Sequence, residues 1–332
     1  MNPIFTTTRT LLEPDTYIYI GWAFFIVLTI LTGLLWRKSK RRWLKYAVAA
    51  PLLFFWLVFL YGSYIGVNEL RVRHIELTFD DLPEAFDGYK IVQFSDAHVG
   101  TLTGSRLKLL EDAVDSINAQ KADMVVFTGD LQNKIPSEVL HVDKILKRIK
   151  AKDGIFSVIG NHDYPMYFKG NEYEKYDSMN VRAAWDDELG WDLLVNERRT
   201  IRRGKEKILI AGMDNDGDGK RFPQNGDLQE TLYGVTCQDF VVMLEHDPTS
   251  WRRKILPHSH TQLTLSGHTH GGQFSILGWS PASLAFHETY GLYKLNGRYL
   301  YVTSGLSGVV PFRFGIPAEI AVITLRKSKN NK

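Results

Sequence analysis

Five short segments recur in one order from the middle of the chain to its end: Asp96-Ala-His98, Gly129-Asp130, Gly160-Asn161-His162-Asp163, Glu245-His246 and Gly267-His268-Thr269-His270. Carboxylates, imidazoles and one amide are the donor set that a pair of borderline transition metals takes, and a structural core would avoid burying so many ionisable groups unpaired. An Asp-x-His or a Gly-Asp pair alone carries little weight. Five such segments in succession, each behind an apolar run, point to a two-metal site.

The elements that must position these residues alternate between strand-like and helical patterns after Asn68, the signature of an α/β domain. Lys90 to Ser95 reads as a strand ending at Asp96, followed by a helix over Ser105 to Ala119 with Leu107, Leu110, Val114 and Ile117 on one face. Met124 to Thr128 reads as a strand ending at Gly129-Asp130. A second amphipathic helix is predicted from about Ser137 to Lys150, with Ser137 as its N-cap. Ile155 to Ile159 then leads into Gly160. Downstream, Lys207 to Ala211, Phe240 to Leu244 and Gln262 to Ser266 read as strands, the last two running into His246 and His268; further strands are expected at Leu300 to Thr303 and Ala318 to Thr324. Ligand sites in α/β sheets gather at the carboxyl ends of strands, so these deliveries converge on one edge. Tyr164 to Asn180 reads as an insertion over the site, with a helix over Val181 to Leu189 beyond it. Asp214-Asn-Asp-Gly-Asp218-Gly219 reads as an acidic turn and not a calcium loop, because Asn225 stands where a bidentate Glu is needed and a strand precedes it.

Two uncharged runs lie ahead of this region, Tyr17 to Trp36 and Tyr46 to Val67, each close to the roughly 20 residues that span a bilayer. They predict a two-helix transmembrane hairpin, at about 17–36 and 46–67, inside an N-terminal segment 1–67; the catalytic domain follows at 68–326 and a polar tail at 327–332. Tyr17, Tyr19, Trp22, Trp36, Trp43, Tyr61 and Tyr64 suit the aromatic belts of the two interfaces. A cleaved signal peptide fits poorly, because the first run is long and Arg9 alone supplies a basic residue before it. Arg37, Lys38, Lys40, Arg41, Arg42 and Lys45 crowd the connection and should hold it in the cytoplasm, outweighing Arg71 and Arg73 after the second helix. The expectation is therefore a multi-pass protein of the cell membrane with an extracytoplasmic catalytic domain. The chain is 44% hydrophobic and 23% charged with a net charge of +3, an excess local to that connection, so neither a nucleic-acid partner nor an obligate protein partner is inferred. Cys237 is the single cysteine, which rules out an intramolecular disulfide.

The five segments resemble those of the calcineurin-like metallophosphoesterase superfamily, and Gly267-His-Thr-His-Gly-Gly-Gln273 is similar to its bacterial envelope-associated branch. The likeness runs from about Leu82-Pro83 to the final strand. It implies an α/β four-layer sandwich of two mixed β-sheets flanked by helices, here preceded by the hairpin. It further implies one metal held by Asp96, His98, Asp130 and His270 and another by Asp130, Asn161, His246 and His268, with Asp130 shared. A shared carboxylate keeps two cations roughly 3.5 to 4 Å apart. The cofactors expected are two divalent metal ions, manganese in first place, with iron or zinc compatible with mixed oxygen and imidazole donors.

The reaction expected is in-line attack of metal-bound hydroxide on phosphorus, with His162 protonating or stabilising the leaving oxygen and Asp163 orienting the His162 ring. Substrate and partners follow from location: a phosphoester at the bilayer, lipid-linked or part of the cell envelope, cleaved by a phosphodiesterase. The alternatives are an inner-leaflet hydrolase of a nucleotide-linked lipid precursor and a catalytically silent interaction domain of the same fold. His74, His141, His258, His260 and His287 are set aside as surface or loop positions. Arg313 is a candidate phosphate clamp. Trp279, Phe286, Phe312 and Phe314 read as packing in preference to a rim facing acyl chains.

Overall fold

The computed structural model describes residues 11–38, 40–219 and 222–329; residues 1–10 of the N-terminal segment and 330–332 of the polar tail lie outside the described residues. The chain opens with α1 (Pro14–Lys38) and α2 (Arg42–Tyr64), both long and apolar enough to cross a bilayer. The α-helical part of the second span ends at Tyr64, and the span continues to Asn68 through a 3-10 turn over Gly66–Asn68. The helices pack closely where Gly21 faces the Phe59 ring, which a Cβ at position 21 would approach to 2.4 Å. Trp22 and Phe25 meet Trp56 at ring-centroid distances of 5.3 and 5.0 Å, and the Trp56 indole donates to the Thr29 hydroxyl at 2.9 Å. Phe24, Leu31, Leu53 and Leu57 point outward and are exposed, as lipid-facing side chains would be.

In chain order the strands are β1 (Leu70–Phe79), β2 (Lys90–Phe94), β3 (Met124–Phe127), β4 (Ile155–Ser157), β5 (Asp192–Leu193), β6 (Glu197–Arg203), β7 (Glu206–Gly212), β8 (Val241–Leu244), β9 (Leu263–Ser266), β10 (Gly291–Leu295), β11 (Arg298–Val302) and β12 (Ala318–Lys327). They form two six-stranded mixed sheets, ordered β1-β12-β2-β3-β4-β5 and β10-β11-β9-β8-β7-β6. Alternate residues of the central strands face opposite ways, and both faces are apolar. Ile91, Met124, Val126 and Ile323 meet Ile208, Ile210, Val242 and Leu265 between the sheets. Val92, Phe94, Val125 and Phe127 pack outward under Leu110, Val114 and Ile117 of α3 (Leu107–Ala119). On the far side Val241 and Met243 lie under Trp251 and Ile255. Each such side chain contributes about 1.5–3 kcal/mol by leaving water, so the two slabs fix the strand ends rigidly.

Three expectations need correction. The helix over Ser137 to Lys150 is instead a 3-10 turn over Pro136–His141 followed by the single turn α4 (Asp143–Leu146), with no Ser137 cap. The Glu138 carboxylate accepts from the Asn133 and Lys134 N–H groups at 2.6 and 3.1 Å, pulling the segment down, and Val142 breaks the helix with φ −126°. The helix α5 (Glu172–Leu189) starts nine residues before Val181, at a capping box in which the Asn171 and Glu174 side chains accept from each other's backbone N–H. The last strand runs on to Lys327, into what reads as tail.

Candidate metal centre

β2, β3 and β4 of the first sheet, and β8 and β9 of the second, end at one crevice, and the seven predicted metal ligands sit on the turns just past them. These turns are sharply bent. Asp96, His98, Asp130, His268 and His270 adopt φ of 50°, 39°, 60°, 70° and 52°, left-handed values that cost a non-glycine residue about 1–2 kcal/mol each. Such strain persists only where the surrounding structure enforces it, and it concentrates at functional sites. Flanking glycines allow the close approach: a Cβ on Gly160 would lie 2.2 Å from Asp130 Oδ1, and one on Gly267 2.2 Å from Asp96 Oδ2.

The side chains then converge. The donor atoms of Asp96, His98 and His270 lie within 4.8 Å of one another, as do those of Asp96, Asp130 and His246, and those of His98, Asp130 and His162. Asp130 Oδ2 stands 3.5 Å from His98 Nε2 and 3.3 Å from His246 Nε2, between the two halves of the cluster. Asn161 Oδ1 lies 2.7 Å from His268 Nδ1 and 3.3 Å from His246 Nε2. His246 Nδ1 faces the Thr128 carbonyl at 2.7 Å and donates its proton there, which leaves Nε2 as the ring atom that faces the Asp130 and Asn161 oxygens. Both ring nitrogens of His98 and Nδ1 of His270 are buried without a hydrogen-bond partner. Acceptors gathered around acceptors fit cations, and the donor set satisfies the mixed oxygen and nitrogen preference of divalent transition metals.

Electrostatics agree. Burial lowers the His98 pKa to about 3 and holds His270 well below its ordinary value. Burial also pushes the Asp96 carboxyl up to about 7, with the Asp130 charge adding to it. Asp130 goes the other way: although burial opposes ionisation, His246 and His162 hold it well below the usual carboxylate range. Burial works against a charged His246, but Asp130 overcomes it and raises the ring well above its ordinary pKa. A proton on His246 thus balances Asp130 where a cation would otherwise do so.

The calcineurin-like phosphoesterase family pattern (Metallophos) matches residues 89–272. A Bacillus subtilis protein described as the uncharacterized metallophosphoesterase YkuE is 30% identical over 303 residues, which cover 88% of this chain and 99% of the relative. The chain belongs to the calcineurin-like phosphoesterase family. An uncharacterized metallophosphoesterase of Aquifex aeolicus is 29% identical across 81% of the chain and 96% of its own length. A Danio rerio transmembrane protein with metallophosphoesterase domain is 29% identical across 81% of the chain, which spans 60% of that relative. As a calcineurin-like phosphoesterase the protein is a phosphoester hydrolase whose fold implies divalent metal ions.

Within this phosphoesterase, two side chains stand in different company from that expected. Asp163 does not touch the His162 ring: its Oδ2 accepts from the N–H groups of Asp130 and Gly160, each at 2.9 Å, and its Oδ1 from Leu131 N–H at 2.9 Å and Arg182 Nε at 2.8 Å. It braces the backbone that carries Asp130 and Asn161. The His162 ring is oriented instead by the Asn133 carbonyl, 2.8 Å from Nδ1, and stacks on Tyr167 at 4.4 Å. Arg313 is no phosphate clamp. Its buried guanidinium donates to the carbonyls of Ser304 at 2.9 Å, Ser307 at 2.6 Å and Pro317 at 3.2 Å, and burial pulls its pKa down to about 10.

The remaining side chains divide between packing and the lip of the crevice. Phe312 packs on Gly62 of α2 and Phe314 on Tyr61, whereas Phe286 turns its edge to His268 at 5.7 Å and Trp279 is exposed. Phe222, which the sequence reading passed over, also meets His268 edge-on, at 4.9 Å. His141 and His260 face the carbonyls of Leu102 and Asp239 away from the cluster. The Asp214 turn is structural: Asp216 pairs with Lys254 at 2.6 Å and Arg253 at 3.0 Å, and Asp214 accepts from the Tyr164 hydroxyl at 2.7 Å. Arg182 was legible only as one half of an i,i+4 pair with Asp186.

Proposed function

We propose that the protein is a membrane-anchored, dinuclear metal-dependent phosphohydrolase, a phosphodiesterase acting on a lipid or cell-envelope phosphoester, with a hairpin segment 1–67 and a catalytic domain 68–326. The observation that carries this reading is Asp130 Oδ2, set between His98 and His246 at 3.5 and 3.3 Å and therefore able to serve two ions. Asp96, His98, Asp130 and His270 would hold one ion, and Asp130, Asn161, His246 and His268 the other. When bound, the pair supplies an activated water and neutralises charge developing on the phosphoryl oxygens.

The chain's own residues do the rest. The Asn133 carbonyl fixes the proton on His162 Nδ1, which leaves Nε2 to hold the proton that the leaving oxygen takes. Asp163 and Arg182 hold the two turns at fixed spacing. Phe222 and Phe286 stand edge-on to His268 and Tyr167 stacks on His162, so aromatic surface borders the cluster where an apolar part of the substrate could rest. The exposed apolar surface of α1 and α2 supports a substrate met at the bilayer, and the basic connection supports an extracytoplasmic domain.

The test is hydrolysis by the purified full chain of aryl phosphomonoesters, aryl phosphodiesters and lipid phosphoesters, with manganese, iron and zinc in turn. Turnover restricted to monoesters, or undiminished by chelation, overturns the reading. In His162→Gln, activity should fall more steeply for esters with poor leaving groups than for activated ones. A leaving-group-independent loss would deny His162 the proton transfer. Topology reporters fused after Val67 and at Lys332 decide the side of the membrane; activity confined to a cytoplasmic reporter would reverse it.

A further inference from the structure

Just past the His268–His270 turn lies an apolar tip that the hydrolytic site does not use. Ile276 and Trp279 exchange backbone hydrogen bonds at 3.0 Å in both directions, closing a two-residue turn with Leu277 and Gly278 at its apex, at φ of 52° and 82°. Two left-handed residues in such a turn call for Asn, Asp or Gly. Leucine at the first position is both disfavoured by its backbone and fully in solvent, at 103% relative exposure. Beside it Trp279 is 53% exposed, and Leu284, on the 3-10 turn Pro281–Leu284, is 82% exposed. An apolar side chain kept in a strained, water-facing position breaks two local rules at once, which marks a place where something other than water is met.

The fold says what that is. The last turn of α2 is fastened to this part of the domain: the Arg313 N–H donates to the Gly62 carbonyl at 3.0 Å, and the Phe312 ring fills the space that a Cβ on Gly62 would take. The Phe314 ring meets Tyr61 at 5.7 Å and stacks on Phe274 at 5.8 Å, while Ser275 N–H donates to the Phe314 carbonyl at 2.8 Å. Leu277 is two residues beyond Ser275, at most about 7 Å of extended chain. The tip is therefore continuous with the end of a bilayer-length helix, through an aromatic cluster of the kind found at headgroup level. It is also fastened to the candidate metal turn: the Ser280 hydroxyl donates to the Gly271 carbonyl at 2.7 Å, and Thr269 donates to the Thr289 carbonyl.

We infer that the Leu277–Trp279 tip, with Leu284, is a second membrane contact, inserting into the interfacial layer of the bilayer that α1 and α2 span and holding the His268–His270 turn against that surface. This rests on the hairpin spanning the bilayer, and it makes the site's access to lipid a built feature of the domain and not only a result of tethering.

The test uses the full chain carrying Cys237→Ser, reconstituted into phosphatidylcholine–phosphatidylglycerol vesicles. Nitroxide labels are placed through Leu277→Cys, Leu284→Cys, Phe24→Cys in α1 or Tyr233→Cys, an exposed position on the second-sheet side. The ratio of collision with dissolved oxygen to collision with an aqueous nickel chelate should be several-fold higher at 277 and 284 than at 233, and high at 24. A high ratio at 24 with water-like values at both 277 and 284 overturns the proposal while leaving the hairpin intact. Water-like values at 24 as well overturn the hairpin reading, and the proposal with it. Shielding of 277 from both reagents, with spin–spin broadening, would show a second copy of the chain on the tip and also overturn it. None of these outcomes depends on hydrolysis.

Discussion

On the first-sheet side of the crevice the turns are held by buried ion pairs; on the second-sheet side a comparable load is carried by a buried carboxyl group held through hydrogen bonds. Asp163 and Asp186 share the wholly buried Arg182, and although burial works against its charge, the two carboxylates raise its pKa further. Across the crevice, the buried Glu245 accepts from the Asp216 N–H at 3.0 Å and meets the Ser250 hydroxyl at 2.6 Å, with no cation paired to it among the described residues. Burial, reinforced by the nearby Asp247 charge, pushes its pKa well above the usual range. The difference teaches where each side can be damaged. The ionic half fixes the backbone of Asp130 and tolerates no loss of a partner, whereas the other half supports the imidazole turns through hydrogen bonds that an amide can imitate.

The largest effect expected is from Asp130→Asn, which should lower kcat for an aryl phosphodiester on the order of 10³-fold, the scale of losing a preorganised charge at the reacting centre. Metal content by atomic emission should fall with it; unchanged turnover would remove Asp130 from its shared position. Next, Arg182→Leu should cost about 3 kcal/mol or more in urea unfolding, because it leaves Asp163 and Asp186 buried without a cation. A loss under about 1 kcal/mol would show the ionic brace to be dispensable. Glu245→Gln should stay within about 1 kcal/mol, since its amide can donate to a Ser250 oxygen whose own proton is engaged by the Asp247 carbonyl at 3.0 Å. A loss equal to that of Arg182→Leu would erase the contrast.

The smallest effect is at Asp239 on the second-sheet side, where Lys207 at 2.6 Å and the Thr236 N–H at 2.9 Å hold the carboxyl down to about 2. A depressed carboxyl stabilises above its unfolded pKa near 4 and loses that contribution as pH falls toward 2; discounted for the exposure of Lys207, it amounts to roughly 0.5 kcal/mol. Urea midpoints between about pH 4.5 and pH 2.5 should therefore fall less steeply in Asp239→Asn.

The strands that deliver the convergent acids and imidazoles were legible because their apolar runs stop at a glycine or an acid, a boundary set by local chemistry, whereas their division into two sheets came only from the family resemblance. β1 was not, because its alternation slips phase at Arg73-His74: Arg73 turns inward to Glu319 at 3.1 Å and the Tyr290 hydroxyl at 2.6 Å, partners far away in sequence. β6, Glu-Arg-Arg-Thr-Ile-Arg-Arg over 197–203, hides an edge strand under charge, as edges exposed to water often do. Asp163 looked like the partner of its neighbour His162, yet its oxygens are taken by N–H groups on the turn after β3, which only the folded sheet brings near. Arg313 misled in the opposite direction: guanidinium suits phosphate, but here five backbone carbonyls surround it.

β12 lies between β1 and β2, pairing Leu70 with Ala318 and Phe79 with Lys327. A ribosome making this protein delivers β1 directly after α2, yet the strand that covers its edge emerges only after most of the domain has been made. Until then the ten residues of β1 lack their one strand partner, and β1 cannot join the sheet to which β2 belongs. The edge of β1 therefore depends on the pairing of greatest sequence separation in its sheet, Leu70 with Ala318.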